Sequence, residues 1–144
     1  YVQALEPSLR ARIAIFPLAL GASHGETEFD GLGNACSSVT AQGALRVQVA
    51  PLDDVLGPTA TPTFVKLDVE GTEPEALQGT VKTLRRCRPI LAISVYHAVS
   101  HLWTLPLWVH RLDLGYRLFL RRHSQSYSET VCYAIPPGHE EAGA

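Results

Sequence analysis

Residues 63–96 constrain the fold more than any other stretch of the chain. Thr63–Val69 (Thr-Phe-Val-Lys-Leu-Asp-Val) has the β-branched and aromatic content of a strand. Thr72-Glu73-Pro74-Glu75 then has a capping-box pattern, with Thr72 as N-cap and Glu75 as the third helical residue. Pro74 costs nothing in a first turn, where its missing N–H would have no helical partner. Leu77, Val81 and Leu84 recur at helical spacing, and Pro89 stops the helix. Arg85, Arg86 and Arg88 fall in the last turn, where cations suit the helix dipole. Ile90–Tyr96 follows as a continuous apolar run, the pattern of a strand buried on both faces. Strand, helix and strand in this order specify a right-handed βαβ unit with parallel strands.

The flanking sequence extends this unit. Tyr1–Leu5 reads as a strand closed by Glu6-Pro7, and Arg12–Leu20 as a second one stopped by Gly21. Only Ser8–Ala11 lies between them, too little chain for a crossover helix. Gly21–Gly43 is polar and Gly-rich and reads as loops, with one short strand near Thr27–Phe29. Leu45–Val49 alternates as a half-buried strand, and Leu52–Leu56 reads as a helical turn ended by Gly57-Pro58. Leu105–Leu112 is amphipathic, with Thr104 as cap, Pro106 in the first turn, and Leu105, Trp108, Val109 and Leu112 on one face. Tyr116–Leu120 and Thr130–Ile135 are two further strands that can pair as an antiparallel hairpin. The class is α/β, with a mostly parallel sheet and an antiparallel C-terminal end. One domain over residues 1–136 and a flexible tail over 137–144 are expected.

Composition excludes several functions. With 144 residues the chain can bury a core without disulfides or metals. Twelve basic and 14 acidic residues give a net charge of −2, so no basic excess points to nucleic acid. The apolar runs fall short of the ~20 residues of a membrane span. Cys36, Cys87 and Cys132 are odd in number and contain no CxxC, which argues for reduced thiols and against a zinc ribbon. Tyr1–Leu5 has no basic start, so a cytoplasmic protein without a signal peptide is expected.

Chemistry concentrates where these strands end. Asp68 and Glu70 stand at the C-terminal end of the Thr63–Val69 strand, at the edge where open α/β sheets bind ligands, and Gly71 permits a tight turn there. Two residues apart, the two acids share a face while the chain stays extended. Glu70 is equally well explained as a complement to the helix dipole. Asp68 needs a partner such as an ammonium group or a cation. Glu6 ends the first strand, where an acid can accept both hydroxyls of a ribose, although a solvated loop acid explains it too. His97 follows the Ile90–Tyr96 strand, and an imidazole is a side chain suited to taking a proton from a hydroxyl near neutral pH. His97 and His101 have an H-x3-H spacing, but no third ligand accompanies them, so no metal is expected. Tyr96 and Trp103 lie close in sequence and can wall a substrate pocket, as well as serve in packing. Asp53-Asp54 reads as a helix start.

These stretches together resemble the FkbM-type S-adenosylmethionine-dependent methyltransferases. The resemblance is carried by Glu6-Pro7, Leu18-Ala19-Leu20-Gly21, Pro51–Leu56, Phe64–Glu73, Ile90–His97, Leu102-Trp103, Tyr116–Arg121 and Glu129–Ala134, in order along the chain. It implies a Rossmann-like methyltransferase fold, S-adenosylmethionine as cofactor, and methyl transfer to a hydroxyl of a small-molecule or glycan acceptor. It also implies that Glu6 holds the cofactor ribose, that Asp68 sits near its methionine end and the acceptor, and that His97 lines the acceptor site. Glu70, Tyr96 and Trp103 are placed with His97 on the acceptor side.

The family's first strand and Gly-rich loop belong ahead of Tyr1, so an N-terminally truncated domain is expected. Without that turn the methionine end of the cofactor is held weakly. A sheet without its middle strand leaves an open edge through which a homodimer can form. Two other functions compete with methyl transfer. One is a non-catalytic binding domain derived from such an enzyme. The other is a Mg-dependent hydrolase using Asp68 and Glu70.

Overall fold

A computed structural model describes residues 2–29, 45–125 and 129–139. After a 3-10 turn at Val2–Ala4 come α1 (Pro7–Arg10), β1 (Leu18–Leu20), β2 (Gly25–Phe29), β3 (Leu45–Ala50) and α2 (Leu52–Leu56). Then follow β4 (Phe64–Leu67), α3 (Glu73–Gln78), α4 (Val81–Cys87), β5 (Ile90–Ser94), α5 (His101–Arg111), β6 (Arg117–Arg122) and β7 (Thr130–Ile135).

The expected βαβ unit is present. β4 lies parallel to β5, with Val65 opposite Leu91 and Leu67 opposite Ile93. These four side chains face Ala76, Leu77 and Leu84 of the crossover helices, and Leu105 and Val109 of α5, in one core. Burial alternates along β4, so Phe64 and Lys66 point away from that core. Tyr116 anchors the start of β6 by donating its hydroxyl to the Pro89 carbonyl at 2.9 Å.

The sheet is mixed rather than mostly parallel. β1 pairs parallel with β3 and β4 with β5, while β2–β3, β5–β7 and β6–β7 are antiparallel. The C-terminal hairpin accounts for two of the antiparallel pairings. A short connection can only reverse the chain, so β7 returns between β5 and β6. The strands form two sheets, β1-β3-β2 and β4-β5-β7-β6. Among the described residues, one edge each of β1 and β4 has no strand beside it.

Three local expectations are corrected. The strand expected over Tyr1–Leu5 is replaced, in its described residues, by a 3-10 turn at Val2–Ala4, and α1 follows. The Glu6 carbonyl accepts from Leu9 and Arg10, so a one-turn helix fits where no helix was expected, with Pro7 preset for its first position. The strand at Arg12–Leu20 begins only at Leu18, because Pro17 cannot donate to a ladder and Ile13, Ile15 and Phe16 stay exposed.

The helix between β4 and β5 is two helices. Gly79 packs directly on the Gly21 carbonyl, and a Cβ there would also lie 3.0 Å from Pro51 Cα. Asp53 braces the break. Its N–H donates to Gly79 O, and its carboxylate accepts from Lys82 N (2.9 Å) and Thr83 N (2.7 Å), capping α4. The expected capping box is also replaced. Thr72 Oγ1 donates to Val69 O, and the carboxylate that folds back is that of Glu73, not Glu75. α5 starts at His101, so Ser100 rather than Thr104 is its N-cap and Pro106 lies in its interior. Residues 30–44 of the Gly-rich stretch and 140–144 of the tail are outside the described residues.

Candidate functional site

β4 and β5 both run out at their C-terminal ends beside the start of α3, and the chain turns sharply there. Glu70 (φ 54°) and Gly71 (φ 104°) are both left-handed, so Asp68 and Glu70 are not on one extended strand face as the sequence spacing predicted. The turn instead folds Glu70 back toward His97, which follows β5. His97 Nε2 lies 3.3 Å from Glu70 Oε2 and 3.8 Å from Asp68 Oδ1.

Asp68 accepts a hydrogen bond from Lys66 Nζ at 2.8 Å and one from the Tyr96 hydroxyl at 3.2 Å. Partial burial pushes its carboxyl up, but hydrogen bonds from Lys66 and Ser94, the Lys66 charge and the Tyr96 hydroxyl outweigh this and hold it below its ordinary value. The reverse holds for Tyr96. Desolvation and the neighbouring Asp68 carboxylate push its phenol up to about 12. The Tyr96 ring also leans on the His97 ring, with centroids 4.2 Å apart.

Behind this open face is a buried group. Glu73 is fully buried, and its Oε1 accepts from Val69 N at 3.0 Å and Gly71 N at 3.4 Å. The same oxygen lies 2.7 Å from His97 Nδ1. Its other oxygen is 3.4 Å from His101 Nδ1, in the first turn of α5. Glu73 Oε2, His97 Nε2 and His101 Nδ1 are buried without a hydrogen-bond partner. Glu73 therefore holds both the loop after β4 and the imidazole after β5.

Sequence reasoning missed Glu73, although a signal for it exists. Glu73, Ala76 and Leu77 are spaced i, i+3 and i+4, which puts the acid on the buried stripe of its helix. His101 occupies the equivalent place on α5, four and eight residues ahead of the buried Leu105 and Val109. Of the predicted site residues, Asp68, Glu70, Tyr96 and His97 come together. Glu6 is exposed at the start of α1, and no hydrogen bond or ion pair joins its side chain to this cluster. Trp103 is 53% exposed on α5, with no ring contact to Tyr96 or His97.

A pocket of about 320 Å³ takes Thr72 and Glu75, the neighbours of Glu73 in the turn and in α3, into its wall. Leu20, Gly21, Ser23, Val49, Thr72 and Glu75 line it at the C-terminal end of β1. Thr72 links pocket and cluster through its bond to Val69 O.

The model of the methyltransferase FkbM domain matches residues 8–124. That span includes the whole cluster and the pocket. The chain belongs to the FkbM methyltransferase family. Its fold is similar to the crystal structure of methyltransferase FkbM from Methylobacillus flagellatus KT, at TM-score 0.70 and 26% identity over 90% of this chain. The likeness spans 30% of that FkbM chain. No curated protein matches this one. Among the described residues of this FkbM domain, no helix is long and apolar enough to cross a membrane.

Proposed function

We propose that this domain takes part in S-adenosylmethionine-dependent methyl transfer to a hydroxyl of a small-molecule or glycan acceptor. The observation that carries this reading is His97. A buried carboxylate grips its Nδ1 at 2.7 Å, while Nε2, without a hydrogen-bond partner, lies toward Asp68 and Glu70 at the strand ends.

The residues present fit the cofactor in two respects. The pocket is lined by apolar Leu20 and Val49 together with polar Ser23, Thr72 and Glu75, a mixture that suits a nucleoside. At the end of β4, Asp68 is held in its charged form by Lys66 and Tyr96, which suits a cation such as a sulfonium or ammonium group. When bound, S-adenosylmethionine supplies an electrophilic methyl group on a sulfonium. The chain's own part is acid–base and positional. His97 Nε2 would take the proton of the acceptor's hydroxyl. Asp68, fixed between Lys66 and Tyr96, sets the charge at the edge.

The test follows a labelled methyl group from S-adenosylmethionine to a panel of sugars and polyols. His97→Ala is expected to slow transfer roughly 10²–10⁴-fold. A loss below about tenfold would reduce His97 to a pocket wall, and absence of transfer to any hydroxyl would remove the reading.

A further inference from the structure

We propose that the outer face of the C-terminal hairpin is a second binding site, for a small molecule that carries a phosphate group, held by Arg117 and Arg121. The site shares no residue with the His97 cluster or with the pocket at the end of β1, and it does not depend on the reading of His97.

Register builds the groove. Side chains alternate along β6, so Arg117, Phe119 and Arg121 stand on one face. Leu118 lies on the other face and packs against the core, together with α3, α4 and α5. β7 sets Tyr133 directly opposite Phe119, and Ile135 opposite Arg117. With Ile90 of β5 and His139 beyond β7, these residues line a cavity of about 380 Å³.

Both guanidiniums gather at a single ring. Arg117 Cζ lies 5.8 Å and Arg121 Cζ 5.6 Å from the centroid of Phe119. A ring face attracts a cation without occupying its N–H donors. Each arginine gives one donor to a carbonyl, Arg117 Nη2 to His139 at 3.2 Å and Arg121 Nη1 to Leu120 at 3.1 Å. The other N–H groups of each fork remain for a ligand. Among the described residues, no carboxylate lies within ion-pair distance of either arginine. The groove therefore joins two positive charges and no acid, in a chain whose net charge is −2. Charge on an edge strand discourages pairing wherever it projects. Two guanidiniums held at one ring do more, because their forks match the several oxygens and double charge of a phosphate. Ile90 and Ile135 give the uncharged part of a phosphate ester an apolar wall.

Titration of the 144-residue chain at low salt with glucose 1-phosphate and with inorganic phosphate tests the site. Both are expected to bind, the ester more tightly, and added salt should weaken both. Arg117→Gln and Arg121→Gln should each weaken the ester roughly tenfold, and Phe119→Leu roughly threefold. Arg117→Lys guards against a folding defect: it keeps the charge without the fork, and its affinity should fall between those of the native chain and Arg117→Gln. Arg46→Gln removes the same charge from β3 and should leave binding unchanged. No binding of either probe, or an equal loss in Arg46→Gln, would overturn the site. Inorganic phosphate binding as tightly as the ester would overturn the apolar wall as part of it. Binding to phosphatidic-acid vesicles with none to either probe would overturn the small-molecule ligand.

Discussion

Two side chains report on the site through their titration. Asp68 is held below its ordinary value, so its folded form binds a proton less readily than the unfolded chain. Its contribution is present above the unfolded value of 3.8 and disappears as pH falls through the lower folded one. Because the side chain is one-third exposed, solvent screening keeps the contribution below about 1 kcal/mol. Asp68→Asn should therefore flatten the acid limb of a denaturation series, hardly change stability at neutral pH, and cut methyl transfer by orders of magnitude. Undiminished transfer in this variant would remove Asp68 from the site. The phenols of Tyr96 and Tyr116 behave in the opposite sense. Both are pushed up to about 12, by burial first, so their stabilisation is complete below pH 10 and is lost as pH rises toward 12. Tyr116→Phe should soften that alkaline limb. It should also cost about 1–2 kcal/mol at neutral pH, because the Pro89 carbonyl loses its buried donor. Urea midpoints across the pH range measure both.

At the scale of elements, legibility followed local chemistry. Ile90–Ser94 and Thr130–Ile135 were plain in the sequence because continuous apolar runs leave a strand no other place to go. Asp68 and His97 were found because they directly follow such strands. Glu73 was not, because a helical acid is ordinarily solvated and only the tertiary fold turns its face inward. The division of α3 from α4 was equally hidden. Leu77, Val81 and Leu84 keep helical spacing across it, and its cause lies in the distant Gly21 and Pro51 backbone. That cause predicts a large effect from a small change. Gly79→Ala adds one methyl against backbone that cannot yield, and should cost ~2–3 kcal/mol by thermal or urea denaturation. An unaltered melting temperature would mean that the two helices can separate from β1 freely.

The molecule as a whole carries an interrupted sheet. Among the described residues, β1 and β2 are the outer strands of one sheet and β4 and β6 those of the other, each with one unpaired edge. β4 also shows Phe64 at 54% exposure on its outer face, so its open edge is apolar as well as unpaired. Such an edge accepts further strands, including those of a second copy. The 144-residue chain should therefore associate as concentration rises in light scattering. Phe64→Lys should reduce this without lowering the melting temperature, since charge discourages edge pairing and the position is not in the core. A monomer at all concentrations would exclude pairing through this edge.

Between the two sheets, Asp53 joins α2 to the Gly79 carbonyl and to the first turn of α4 with three hydrogen bonds. A single residue thus acts as a latch across a seam, with two of the three bonds made by its carboxylate. In deuterium exchange, closing it should make the amides of β1, β2 and β3 wait on the same opening as those of β4 and β5. With Asp53→Ala, the three-stranded sheet would exchange as its own unit, earlier than the rest, and the protein would lose its single-step cooperativity before it lost its native shape.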